Sequence, residues 1–353
     1  MMKFGIRTSN LLMLAACFFA FSSCSDELVI DDAAMAEAAK ETQTPLLKNT
    51  DNFHLGINGH PLGTVPYKSV SAVEQIRLLK DMGMSIYRFD IVSQDNGKVT
   101  VPYLLNPLIE AADDAGVTLL PMLYTKTLDF SVSNSESYQR GKKLGKNFAR
   151  YYKDVFDYYE LGNELDNRCI LPNKAGKSRN SYDMKKFKTI AAYLKGMNHG
   201  IKIYDPSAKT IINASWLHYA YILMLEDHGI DFDIVGYHWY SDMESVAKRW
   251  PYYISDITER LSSRLSKPIW FTEINARPKD VHDMEDRQEN FLTSFLKKAK
   301  ANPQVEAILI YQLFDEPQKN HYQESRYGIL KWADPYSDWA RKKVAQTFVE
   351  IAN

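Results

Sequence analysis

From Phe53 onward the chain alternates short apolar runs with amphipathic stretches, and a glycine or proline usually separates one pair from the next. That is the pattern of parallel strand–helix units. The apolar runs read as strands at His54–Ile57, Ile86–Asp90, Val117–Leu123, Tyr158–Gly162, Thr210–Asn213, Ile234–Tyr237, Ile269–Thr272 and Ala307–Tyr311. Ser71-Ala72-Val73-Glu74 has the form of a capping box, opening a helix through Leu78 and Leu79 that stops at Gly83. Gly116 likewise ends a helix containing Ile109 to Ala115. Further helices are predicted from about Tyr182 to Met197, around Tyr219 to Glu226, over Asp286 to Lys300 and, closing the ring, from Asp338 to Ile351. Eight such units predict an α/β fold, a (β/α)8 TIM barrel in one domain over residues 53–353, whose working side chains lie at the C-terminal ends of the strands.

The first residues follow a different pattern. Lys3 and Arg7 precede an apolar run from Leu11 to Phe21, too short to cross a bilayer comfortably, and Ser22-Ser23 lead into Cys24. Residues 1–23 are therefore expected to be a signal peptide. They resemble a bacterial lipoprotein signal, in which Cys24 becomes the lipidated first residue, although Phe21 stands where an aliphatic residue is commoner. Residues 24–52, acidic at the start and alanine-rich, then read as a flexible tether. Ser25-Asp26-Glu27 looks like the acidic tag of surface-displayed lipoproteins of the Bacteroides type, so the expected location is the bacterial outer membrane, facing the cell surface. The simpler alternative is a periplasmic or secreted protein cut nearby.

Composition narrows the function classes. Hydrophobic content of 45% and charged content of 25% are ordinary for a globular chain with a sizeable core, and a net charge of −1 with no basic stripe argues against nucleic acid as a partner. Of three cysteines, only Cys169 belongs to the body, which excludes a disulfide framework. No His-Glu-x-x-His, Cys-x-x-Cys, glycine-rich phosphate loop or Gly-x-Ser-x-Gly elbow occurs, so neither a metal nor another cofactor is expected. A monomer is the expected state.

The candidate chemistry lies in Tyr159-Glu160-Leu161-Gly162-Asn163-Glu164 and in Ile269-Trp270-Phe271-Thr272-Glu273, each reading as an apolar strand whose last residue is a glutamate. Cleavage of a glycosidic bond needs one carboxyl to protonate the departing oxygen and another to attack or to activate water. Two glutamates on different strand ends meet that need only if the fold brings them together. Glu160 shares a strand face with Glu164 but sits deeper, and reads as structural.

The first motif, continued by Leu165-Asp166, resembles the Asn-Glu motif of the clan A glycoside hydrolases, family 39 most closely and family 5 next. The resemblance extends to Tyr204-Asp205-Pro206-Ser207-Ala208-Lys209, His238-Trp239-Tyr240 and Phe271-Thr272-Glu273-Ile274-Asn275, and so covers essentially the whole barrel. It implies that Glu164 is the general acid/base, Glu273 the nucleophile and Asn163 the amide that binds the sugar 2-hydroxyl, with net retention at the anomeric carbon. The pair would then stand about 5 to 5.5 Å apart, with Glu164 kept protonated by apolar surroundings and Glu273 kept ionised by donors.

The supporting residues leave choices open. Arg88 either holds the nucleophile, as an arginine does in clan members, or pairs with Asp90 or Glu160. Tyr240, with His238, either steers the nucleophile through its hydroxyl or is a core tyrosine. Asn58, Tyr124, Asn213 and Trp216 stand at strand ends, where the aromatic faces could stack on a sugar. On strand eight, where clan A enzymes commonly place a tryptophan, this chain has Tyr311, and Asp315 and Glu316 beyond it either bind hydroxyls or cap the loop. The expected function is that of a retaining glycoside hydrolase acting on a β-linked extracellular oligo- or polysaccharide. A surface lipoprotein that binds glycans without turnover is the alternative, and transglycosylation by the same two residues is a third.

Overall fold

The computed structural model describes residues 53–334 and 336–352. The expected signal peptide, Cys24 and the tether lie outside the described residues. Eight parallel strands close into a barrel: β1 (His54–Gly59), β2 (Ile86–Ser93), β3 (Thr118–Thr125), β4 (Tyr158–Leu161), β5 (Lys209–Ser215), β6 (Ile234–Tyr240), β7 (Ile269–Asn275) and β8 (Val305–Ile310), with β8 pairing back onto β1. Each coincides with one of the apolar runs, and the helices between them bury the outer faces of the strands. At the floor of the barrel Ile86, Leu120, Ile211, Ile234, Trp270, Ala307 and Leu309 form a small apolar plug beneath the polar mouth.

Local chemistry sets the helix ends where the sequence places them. Ser71 accepts a hydrogen bond from the Glu74 N–H at 3.2 Å and opens the helix Ala72–Asp81, while Gly116 closes Leu105–Ala115 in the left-handed conformation at φ 63°. The predicted closing helix is wrong at its start. Asp338–Arg341 is a strand, β10, paired antiparallel with β9 (Leu330–Asp334), and the last helix runs from Lys343 to Ala352. The ribbon forms because Trp332 and Trp339 both pack on Phe314, the first stacked at 5.2 Å and the second edge-on at 5.9 Å. A helical stretch over these residues would lose that cover.

Two details of the sheet decide where side chains point. Between β6 and β7, Gly236 pairs with Trp270 and His238 with Glu273, so two residues on β6 face three on β7. The same shift recurs against β8, where Phe271 pairs with Ile308 and Ile274 with Ile310. Strict alternation puts Trp270 and Glu273 on opposite faces, and the bulge in β7 brings both inward. On the other side, β4 ends at Leu161 rather than at the glutamate. Gly162 and Glu164 take positive φ of 77° and 45°, turning the chain into a short 3-10 turn, Leu165–Arg168, with Glu164 at its head. Glu273 likewise is not the last residue of its strand, since β7 continues to Asn275.

Candidate active site

The two glutamates converge at the mouth. One carboxylate oxygen of Glu164, one of Glu273 and a ring nitrogen of His238 lie within 4.8 Å of one another. His238 is fully buried on β6 and holds the pair together, its Nδ1 standing 3.0 Å from Glu164 Oε1 and 3.5 Å from Glu273 Oε2. Burial works against a charged imidazole there, but the Glu273 and Glu164 carboxylates outweigh it and raise the His238 pKa above the ordinary histidine value.

Glu273 is the more confined carboxyl. Arg88 Nη1 donates to its Oε1 at 2.9 Å, and the Tyr240 hydroxyl donates to its Oε2 at 2.8 Å. Arg88 reaches Glu160 as well as Glu273 but makes no ion pair with Asp90: its Nε donates to Glu160 behind it, Nη1 also to Asn58 Oδ1 at 2.6 Å and Nη2 to Asn163 Oδ1 at 2.9 Å. Desolvation of the buried guanidinium is more than offset by Glu160 and Glu273, which push its pKa up and hold the charge in place. Burial and the Glu273 charge push the Tyr240 hydroxyl well above the usual tyrosine value, so it stays protonated and remains a donor.

Glu164 has a different setting. Its side chain is 30% exposed to the cavity, and its second oxygen accepts from Asn167 Nδ2 at 3.0 Å. Asn213 braces the turn that carries it, accepting from the Glu164 N–H at 2.7 Å and donating to Gly162 O and Glu160 Oε1, both at 2.8 Å. The expected apolar surroundings are not what stands there; the near neighbours of Glu164 are a histidine and an amide. One carboxyl is thus locked between an arginine and a tyrosine, and the other is open to exchange protons with whatever fills the cavity.

That cavity has a volume of about 540 Å³. Asn58, Arg88, Tyr124, Asn163, Glu164, Trp216, Tyr240, Glu273 and Tyr311 all line it, and His238 stands just behind. Asn58 is spent on structure: its amide nitrogen donates to Thr272 O and Ile310 O, so it steadies Arg88 and offers no stacking surface. Asn163, with its oxygen on Arg88, leaves its amide nitrogen without a hydrogen bond among the described residues. Tyr311 forms an aromatic wall with Tyr327 and His60, edge-on at 5.5 and 6.0 Å. Asp315 and Glu316 turn away from the cavity. Asp315 pairs with Lys342 at 2.9 Å, and Glu316 is buried against His60, Lys319 and Gln312.

Glu164, His238 and Glu273 are the one group of potential metal ligands among the described residues. Arg88, Tyr240 and Asn167 already direct donors at their carboxylates, the coordination expected of a proton-handling pair rather than of an ion cage. Sequence reasoning missed His60, Asp90, Asn167, His218, Arg277 and Tyr327, all of which line the cavity. Asp90, two residues after Arg88 on the inward face of β2, and Asn167, one turn after Glu164, were within reach of spacing arguments. Arg277 and Tyr327 come from loops, where spacing predicts nothing.

Comparison with known proteins agrees with this geometry. The family described as glycosyl hydrolase catalytic core matches residues 179–328, which includes β5 to β8 and Glu273. No curated protein matches the chain by sequence. Among solved structures, a hyperthermophilic β-glucosidase from Pyrococcus furiosus superposes with a TM-score of 0.63 at 13% identity, covering 86% of this chain and 95% of that one. A family 1 β-glucosidase from Thermotoga maritima gives 0.61 at 12% identity over 86% and 98%. A family 39 glycoside hydrolase from the gut symbiont Bacteroides cellulosilyticus WH2 gives 0.57 at 16% identity, covering 85% of this chain and 63% of that one. At these identities the likeness is one of fold. A glycosyl hydrolase catalytic core is matched over the second half of the barrel, and the barrel shares its fold with family 1 and family 39 glycosidases.

Proposed function

We propose that the protein is a retaining β-glycosidase working by double displacement on an extracellular oligo- or polysaccharide, anchored outside the cytoplasm through Cys24. The observation that carries this reading is that one carboxylate oxygen of Glu164 and one of Glu273, both beside the His238 ring, come within 4.8 Å of each other, so that the two side chains share one narrow site. Retaining enzymes need about 5 to 5.5 Å between the two carboxyl groups, whereas inverting ones leave roughly 6.5 to 9.5 Å for a water. Glu273, held by Arg88 and Tyr240, suits the nucleophile. Its carboxylate attacks the anomeric carbon, and the bond to the leaving oxygen breaks as Glu164 gives that oxygen a proton. Glu164, now a base, takes a proton from water, which attacks the same carbon and releases Glu273. Asn163, whose oxygen accepts from Arg88, keeps its amide nitrogen as the donor for the neighbouring sugar hydroxyl.

The β-glucosidases among the structural neighbours support a β-linkage. The test is incubation with a panel of 2-fluoro glycosides carrying good leaving groups, followed by mass spectrometry of the peptides. The fluorine slows release more than attack, so the sugar is expected to stay on Glu273. A label on any other residue overturns the assignment, and glycan binding without turnover, unchanged in E273Q, would point instead to a binding protein. Loss of membrane association in C24S tests the anchor.

A further inference from the structure

His218 is a second buried, oriented histidine in the same cavity, and the two-carboxylate mechanism does not use it. It closes the loop after β5, just before the helix Tyr219–Asp227, and only 4% of it is exposed. Its Nδ1 stands 2.6 Å from Asp166 Oδ2. Asp166 is fully buried, and the same oxygen also accepts from the Ser215 N–H at 3.0 Å and the Ser215 hydroxyl at 3.2 Å. A carboxylate oxygen that collects donors places the proton of the neutral imidazole on Nδ1. The free atom is then Nε2, a bare acceptor on a cavity-lining ring, with no hydrogen bond among the described residues.

The position of this atom says what it meets. Asn167 donates both to Glu164 Oε2 and, at 3.2 Å, to the Ser215 hydroxyl, so Glu164, Asn167, Ser215, Asp166 and His218 form one continuous chain of hydrogen bonds. In the barrel β5 neighbours β4, the strand that leads to Glu164, and is two strands from β7, which carries Glu273. A proton donor stands beside the group that departs, so this is the leaving-group side. Trp216, two residues before His218, lines the cavity there too. Its backbone is held at φ 53° by the Tyr237 hydroxyl donating to its carbonyl, and its ring stacks on Trp239 at 6.0 Å.

We infer that His218, oriented by Asp166, is a specificity-determining residue whose Nε2 accepts a hydrogen bond from a hydroxyl of the leaving group, and that this leaving group is itself a sugar ring. The inference rests on the glycosidase reading. A hydroxylated ring supplies what the site lacks, an O–H donor for Nε2 and an apolar C–H face for Trp216. A plain aryl or alkyl leaving group supplies no donor, so Nε2 would give up water on binding and gain no partner in exchange.

The test compares two probes on wild type, H218A and H218N: the 4-nitrophenyl glycoside turned over fastest by the wild type, and the β-linked disaccharide of the same sugar. The readout is the ratio of kcat/KM for disaccharide over aryl glycoside, in which the fraction of correctly folded enzyme cancels. Loss of one hydrogen bond to the leaving sugar predicts that this ratio falls roughly ten-fold in both variants. A fall below about three-fold, or a wild type that cleaves the aryl glycoside but not the disaccharide, overturns the inference alone. A wild type that cleaves neither probe overturns the glycosidase reading beneath it.

Discussion

At the level of single residues, the site divides its work between a carboxyl that is held and one that is open. In the proposed mechanism, replacing Glu164 with glutamine removes the proton donor, and it should lower kcat by roughly 10²- to 10⁴-fold on a natural glycoside. The loss should be much smaller on a dinitrophenyl glycoside, whose leaving group departs without a proton, and equal losses on both substrates would contradict the acid role. The Tyr240 hydroxyl makes a single bond to the charged Glu273, 2.8 Å long. Y240F should therefore cost about 1.5–3 kcal/mol in transition-state binding, or roughly 10- to 100-fold in kcat/KM, with little change in melting temperature. Arg88 is different because its buried charge neutralises both Glu160 and Glu273. R88M leaves the fully buried Glu160 without a cation and Glu273 with only His238, and should destabilise the fold by about 3–5 kcal/mol, measured by denaturant unfolding.

Among the elements, the tightest contact joins the helices that flank β4, Asn134–Tyr152 and Met184–Tyr204. They cross backbone to backbone through four glycines at helical spacing. A methyl group added at Gly141 would lie 2.0 Å from Tyr193 O, at Gly145 2.2 Å from Met197 O, at Gly196 2.0 Å from Tyr138 O and at Gly200 2.3 Å from Lys142 O. Glycine to alanine inside an exposed helix normally stabilises by about 0.5–1 kcal/mol. Here the sign should reverse, and G145A or G196A should destabilise by about 1–3 kcal/mol, read as a lowered melting temperature. The spacing Gly141-x-x-x-Gly145 and Gly196-x-x-x-Gly200 is visible in the sequence, yet spacing alone does not say that the two faces meet.

For the molecule as a whole, buried and half-buried ion pairs set a pH window for stability. His60 and His238 both have raised pKa values in the folded state: burial opposes their charge, but Glu316 and Asp90 overcome it for His60, and Glu273 and Glu164 for His238. Their contribution is complete below the ordinary value of 6.5 and is lost as pH rises through the higher folded values. Carboxylates act in the opposite sense. Against the effect of burial, His60 and Lys319 hold Glu316 low, and Lys248 and Lys298 hold Glu244 low. Their contribution is complete above the ordinary value of 4.5 and fades as pH falls through the depressed folded values. The melting temperature should therefore peak between these two values and decline on the alkaline side. In H60N the alkaline decline should be shallower, and a melting curve as steep as that of the wild type from pH 6.5 to 8.5 would count against this account.

How much of this was legible beforehand depended on whether the cause was local. Apolar runs, capping residues and terminal glycines act within a few residues, so the chain alone determined the eight strands, most helices between them, the barrel and the two glutamates worth watching. It could not determine that the residues after Leu330 form a ribbon, because Trp332 and Trp339 are drawn into strands by Phe314, a partner outside their own segment. Nor could alternation place Glu273, which faces inward only because β7 carries an extra residue against both of its neighbours. The links from Arg88 to four side chains, and from Asp166 to His218 across 52 residues, exist only once the barrel closes. Short-range pattern follows from covalent neighbours, whereas the geometry of a site depends on which distant groups share one buried volume, and that is decided by the closed sheet.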